Sequence, residues 1–340
     1  VTADYPAADE VTRMPLAEVR VFLPIDLPLI HRLTPRGISF DSLTALTKGI
    51  HTIEGAVWSA LPIADLGTPT FVLREGDLGY IAQFRHKTGD QNAHIVFIAP
   101  EISGRGSEDN WMRLLNAMII GAGRRGAFTL NAEISEESDA YELLRRVGFA
   151  TYSRQVIWQR QPRPPAPDAP KLLRPATELD AIGVNSLYYQ TVPHIVRQID
   201  PLPDLRHGAV WERGGRIEAF VSGQEGKYGI YVTALIHPDL NVQAASEVIE
   251  SALASLPRVD KLPVYMCVRR YQEWLFTALE NTRFSPYANQ AVMAKHTSRR
   301  IEDCAYKPAL AFEGTPLKLN KIIEYYHDRS EPPVGISHHG

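Results

Sequence analysis

The stretch Ser103–Asp109 reads SGRGSED and stands between an apolar run and an amphipathic one. Glycines ahead of a helix N-terminus leave its first backbone N–H groups open. Together with the helix dipole, such groups make a seat for a phosphate or pyrophosphate. Gly104 and Gly106 supply the flexible positions, flanked by Ser103, and Arg105 adds a positive charge. Glu108 and Asp109 follow directly; carboxylates there also suit the dipole, and Asp109 or Asn110 reads equally as a plain N-cap. Upstream, His94, His86, Gln83 and Glu101 are candidates for moving a proton. His94 is the best placed, at the start of an apolar strand, and imidazole titrates near neutrality. Asn131 and Glu133 lie near the end of the next strand, where a substrate could approach. No G-x-S-x-G or H-E-x-x-H motif occurs, and the histidines are scattered, so no metal site is expected. Cys267 lies in apolar text and reads as a buried thiol.

The elements that must position these residues occur twice. Gln161–Pro170, QPRPPAPDAP, is a proline-rich linker that favours extended polyproline II. On each side a short β-like run meets a proline and a helix: Val19–Leu33, then Lys171–Tyr188. A hairpin follows, turning at Glu75-Gly76-Asp77 in one half and at Arg213-Gly214-Gly215 in the other. Third strands, His94–Pro100 and Gly229–Pro238, precede amphipathic helices. One is spaced on Trp111, Leu114, Leu115, Met118 and Ile119, with Gly121–Gly126 ending it; the other on Val242, Ala245, Val248, Ile249, Ala252 and Leu253. Each half closes with a strand, a short helix and a Phe-led strand beginning at Phe149 or Phe284. The expected domains are 1–160, a linker at 161–170, 171–300, and a polar tail at 301–340. Residues 36–66 have no repeat partner and read as helical, lid-like text.

The run from Ala99 to Phe149 resembles the GNAT superfamily of acyl-CoA-dependent N-acyltransferases. It has a strand ending in Pro100, a Gly-containing loop, a helix with Leu114-Leu115, a strand, and a short helix closing on Gly148-Phe149. The resemblance covers most of 18–160 and, more weakly, 171–298. It implies an α/β fold with mixed sheets, two GNAT-like domains in tandem pairing as an intramolecular pseudo-dimer. It also implies transfer of an acyl group, from acetyl-CoA or another acyl-CoA, to a small-molecule or peptide amine. The cofactor would lie along Ile98 and Ala99, with its pyrophosphate at Ser103, Gly104, Arg105 and Gly106, and with Arg145 near its acidic nucleotide end. His94 or Glu101 would be the base. The family's tyrosine acid falls at Leu144 here, so Tyr141, about one turn earlier, is the substitute. The second copy's loop, His237–Ser246, has no glycine. The alternative is a catalytically silent tandem module that binds a small molecule or a protein.

Composition narrows the class. The 340 residues are 44% hydrophobic and 22% charged, enough apolar text for a buried core. A net charge of −3 does not fit a protein held to nucleic acid by bulk positive charge. No run reaches the ~18–20 apolar residues of a membrane span. Two cysteines give no disulfide framework, and the polar start VTADYPAADE has no signal-like core, so a cytoplasmic chain is expected. The initial Val leaves room for a missing initiator or short leader.

Overall fold

The computed structural model describes residues 19–49, 68–76, 78–101 and 108–297. The first copy runs β1 (Arg20–Val21), α1 (Leu27–Leu33), β2 (Ile38–Ser39), α2 (Ser42–Thr47), β3 (Thr70–Glu75), β4 (Leu78–Arg85), β5 (Asn92–Ala99), α3 (Glu108–Arg124), β6 (Thr129–Ile134), α4 (Asp139–Val147) and β7 (Ala150–Arg160). The second runs β8 (Arg174–Pro175), α5 (Ala181–Thr191), α6 (His194–Arg197), β9 (Gly208–Arg213), β10 (Arg216–Glu225), β11 (Ile230–Ile236), α7 (Val242–Ser255), β12 (Val264–Arg269), α8 (Phe276–Asn281) and β13 (Ser285–His296). This is a mixed α/β fold. Of the stretch 36–66, the described part holds β2 and α2; the tail from 301 lies outside the described residues. Among the described residues, no helix is long and apolar enough to cross a membrane.

All these strands form one sheet. Its order is β1-β3-β4-β5-β6-β13-β7-β12-β11-β10-β9-β8, with β2 added beside β5. The order is the same from either edge, with β13 and β7 at the centre. Each copy's last strand has therefore crossed to the other: β13 pairs with β6, and β7 pairs with β12. The two central strands pair antiparallel, with Gln290 opposite Gln155. The exchange interlocks the cores. Trp158 of β7 packs with its ring 5.0 Å from that of Phe276 of α8, tilted by 53°, among second-copy residues, while Met293 of β13 is buried with Trp111, Leu114 and Leu130 of the first.

Matching local devices mark the repeat. Arg20 grips Asp26 through two bonds of 2.6 and 2.7 Å, and Asp26 accepts from Leu23 N; Arg174 grips Asp180 through two bonds of 2.8 Å, and Asp180 accepts from Thr177 N. Both helices that precede the last strands end on a left-handed residue followed by a buried phenylalanine. In the first copy that residue is Gly148 (φ 92°), but in the second it is Arg283 (φ 67°). The second hairpin turns on Gly214 and Gly215, both at positive φ, which the twist of a two-residue hairpin demands. The helix α3 continues past the expected stop to Arg124. Gly121 lies inside it because a Cβ there would come within 2.7 Å of the Phe71 ring.

The faces of the sheet differ in chemistry. Strand alternation sends Leu130, Ala132 and Ile134 to the face covered by α3 and α4. Val264, Met266 and Val268 likewise go to the face covered by α7 and α8. Their neighbours along the same strands (Asn131 and Glu133 on β6, Cys267 and Arg269 on β12) turn to the opposite face. That face is partly roofed by α2, whose Leu43 and Leu46 pack against Ile157, Tyr231 and Tyr265.

Candidate functional site

A layer of polar side chains, the chamber, runs across the centre of this second face and joins the copies. Asp41, ahead of α2, accepts from Arg85 Nε at 2.6 Å and from Thr44 Oγ1 at 2.8 Å. Ser42 N donates to Glu133 Oε2 at 3.0 Å, and Ser42 Oγ donates to Gln290 Oε1 at 2.9 Å. Gln155 Nε2 donates to the same oxygen at 2.8 Å, and Cys267 Sγ to Gln155 Oε1 at 3.2 Å. On the second-copy side, Asp200 accepts from Tyr152 OH at 2.6 Å and from Arg269 Nη2 at 2.9 Å.

Two polar residues of the chamber are left with unmatched atoms. Asn131 is 2% exposed, yet neither its Nδ2 nor its Oδ1 has a partner, and Arg269 Nη1 is buried without one. Such groups cost roughly 1–3 kcal/mol each when left unsatisfied. The chamber is not sealed, because His94, Glu133, Cys267 and Arg269 all keep partial exposure. Its electrostatics follow from crowding. Burial, reinforced by the charge of Arg85, drives His94 down to about 3, so the ring is neutral at physiological pH. Burial, then the nearby Asp41 carboxylate, pushes Glu133 up. Asp41 itself is held below its usual range, because Arg85 outweighs the burial penalty. Burial pushes the Cys267 thiol up to about 11, so it stays protonated.

The residues singled out from sequence fall in different places. His94 is in the chamber, register partner of Asn131 across β5 and β6. Tyr141 is on α4, packed on the opposite face of the sheet, with its hydroxyl 3.3 Å from Thr151 Oγ1. Glu101 is exposed beyond the end of β5, and its N–H donates to Arg36 O at 2.6 Å. Arg145 pairs with Glu142 at 3.3 Å on an exposed helix face. Ser103, Gly104, Arg105 and Gly106 lie outside the described residues. Ile98 and Ala99 are fully buried on β5.

Around Ile98 the two copies diverge. The strands β5 and β6 pair only through Asn92–Thr129, Ala93–Leu130 and His94–Asn131 and then part. Where neighbouring parallel strands part, the backbone groups on their facing edges lose their ladder partners, and the opening can accept another extended, amide-bearing chain. In the first copy the chain itself takes that place. Ile38 pairs with Ile98 and Ser39 with Phe97. Phe40 N donates to Val96 O at 3.0 Å, while Glu133 N donates to Phe40 O at 2.9 Å. Residues 38–40 thus bridge β5 to β6. The anchor on the β5 side is a bulge: Gln83 and Phe84 face Phe97 and Ile95, leaving Val96 the extra residue.

In the second copy, β11 and β12 pair from Ile230–Val264 to Thr233–Cys267 and then part. Among the described residues no strand enters this gap. His237 N donates to Glu218 O on the β10 side, so the alternate residues Ala234 and Ile236 turn their backbone groups toward the gap. Only a side chain reaches in: Gln272 Nε2 donates to Ala234 O at 3.3 Å. Sequence reasoning, which placed the cofactor in the first copy on the strength of its glycines, missed this asymmetry. It also missed Arg269, Asp200 and Tyr152. The one available signal was a charged arginine ending the apolar run PVYMCVR.

No family model matches the chain, and no curated protein matches it. Solved structures do. The chain is similar to a GCN5-related N-acetyltransferase from Sphaerobacter thermophilus, with TM-score 0.52, 15% identity, and 82% of this chain and 95% of that one covered. It is also similar to a putative acetyltransferase from Pyrococcus horikoshii, with TM-score 0.47, 12% identity, and coverage of 86% and 94%. A third is a tandem GNAT protein from the clavulanic acid biosynthesis pathway, with TM-score 0.45, 14% identity, and coverage of 83% and 98%. With the palindromic strand order, the first of these likenesses shows the fold: the chain has the GNAT fold, twice in tandem.

Proposed function

We propose that this protein is an acyl-CoA-dependent N-acyltransferase in which the second copy, not the first, receives the acyl donor. The observation that carries the reading is the gap between β11 and β12, whose edge at Ala234 and Ile236 lacks a strand partner. An acyl-CoA arm carries amide groups that can add to such an edge as a strand would. The equivalent opening of the first copy does not fit that arm, because residues 38–40 already bond both of its walls. Bound acyl-CoA would supply an activated thioester acyl group. The chain's own part is to hold the arm at Ala234 and Ile236 and to present the amine from the adjoining chamber, by positioning more than by a strong base. His94 is too weakly basic for that role. Glu133, raised by burial, is the group suited to accept a proton there.

The test is a calorimetric titration with acetyl-CoA and with free CoA, accompanied by amide exchange. Saturable binding with slowed exchange at 234–236 is expected. Absence of binding at millimolar ligand, or protection at 96–98 instead, would overturn the reading. The bridging of the first gap favours a second reading for that copy alone: it holds no acyl donor of its own and contributes Glu133 to the wall of the chamber.

A further inference from the structure

The charges of the chamber close on themselves except at two points. Asp41 is matched by Arg85, and Asp200 by Arg269 Nη2. Glu133 has no cationic side chain at bonding distance among the described residues; it accepts from Ser42. Beside it on β6, Asn131 offers an unpartnered carbonyl oxygen and an unpartnered amide nitrogen. On the second-copy side, Arg269 offers the unpartnered Nη1. Both points lie along one connected path across the sheet: Arg269 is register partner of Gln155, Gln155 of Gln290, and Ser42 bonds both Gln290 and Glu133. A carboxylate and an amide oxygen without a cation call for an ammonium group. A guanidinium nitrogen without an acceptor calls for an oxyanion, most simply a carboxylate.

We infer that the chamber binds a small amino-carboxylate, with its ammonium group between Glu133 and Asn131 of the first copy and its carboxylate on Arg269 Nη1 of the second. The exchange of β7 and β13 builds this site, because it joins β6 and β12 in one sheet with only those two strands between them. The inference rests on the acyltransferase reading only in making this molecule the amine acceptor; the binding itself does not require a donor.

The experiment is calorimetry on the full chain, without acyl-CoA. The probes are a ladder of ω-amino acids from glycine to 6-aminohexanoate, with butylamine and butyrate as single-charge controls. At least one amino acid should bind saturably, with both controls weaker by about tenfold or more, as loss of a charge-assisted bond implies. The same loss is expected in Asn131→Ala and in Arg269→Lys, which keeps the cation for Asp200. Asn131→Ala should also raise the melting temperature of the ligand-free protein, because it removes two unsatisfied atoms. A purely structural asparagine would lower it. No binding at millimolar probe, equal binding by either control, or binding unchanged in both variants would overturn the inference. Amide protection by acetyl-CoA at 234–236, measured separately, shows whether the donor reading stands when this one falls.

Discussion

Cutting the chain in the linker should leave the molecule whole. A specific protease site placed between Pro165 and Ala166 would separate 1–165 from 166–340 covalently, yet each fragment keeps a strand inside the other. Val156 and Trp158 of β7 lie in the second copy's core, and Met293 of β13 lies in the first. At ~1.5–3 kcal/mol for each large side chain fully buried, these contribute at most roughly 5–9 kcal/mol. That is comparable with the whole stability of an ordinary domain, about 5–15 kcal/mol. The ladders of β13 with β6 and of β7 with β12 would be lost as well. The cleaved protein should therefore elute from size exclusion as one species, and it should unfold in one transition by circular dichroism. Residues 1–160 expressed alone should show no cooperative unfolding. Fragments that separate without denaturant, or an isolated first half that melts cooperatively at the midpoint of the full chain, would refute the interlocked core.

Further outcomes follow from single sites. His94 is driven to about 3 by burial, against about 6.5 in an unfolded chain, so between those pH values the unfolded state binds the extra proton. Stability should fall as pH drops from about 6.5 toward 3, and His94→Gln should flatten that slope in urea titrations; an unchanged slope would show that the ring is not buried neutral. Arg283 holds φ 67°, where a side chain costs about 1–2 kcal/mol. Arg283→Gly should raise the unfolding free energy read from urea titration by about 1 kcal/mol, less the added freedom of the unfolded chain. Gly148→Ala, at φ 92°, should lower it by about as much, and a fall for Arg283→Gly or a rise for Gly148→Ala would remove the argument.

Periodicity made the repeat legible. Gly-centred turns, helix spacing and the closing Phe-led strands name each element in both halves, because those signals are local. The exchange of last strands was not legible. Nothing in β7 or β13 distinguishes pairing with its own copy from pairing with the other, since register and partner are decided by packing between the halves. The shared pair of an arginine with an aspartate six residues on, Arg20 with Asp26 and Arg174 with Asp180, was present in the sequence and would have strengthened the repeat. The candidate site was legible only in part. His94, Asn131 and Glu133 stood out as polar residues on strands, but Arg269, Asp200 and Tyr152 meet them only through the crossing of strands. The bridging of β5 to β6 by residues 38–40 could not be read from text that looked helical.

The most direct test of the account is an experimental structure with acetyl-CoA bound. The account predicts the acyl-CoA arm lying along β11 at Ala234 and Ile236, with Gln272 moved aside and residues 38–40 still bonded to Val96 and Glu133. An arm along Phe97 and Ile98, with residues 38–40 displaced, would contradict it.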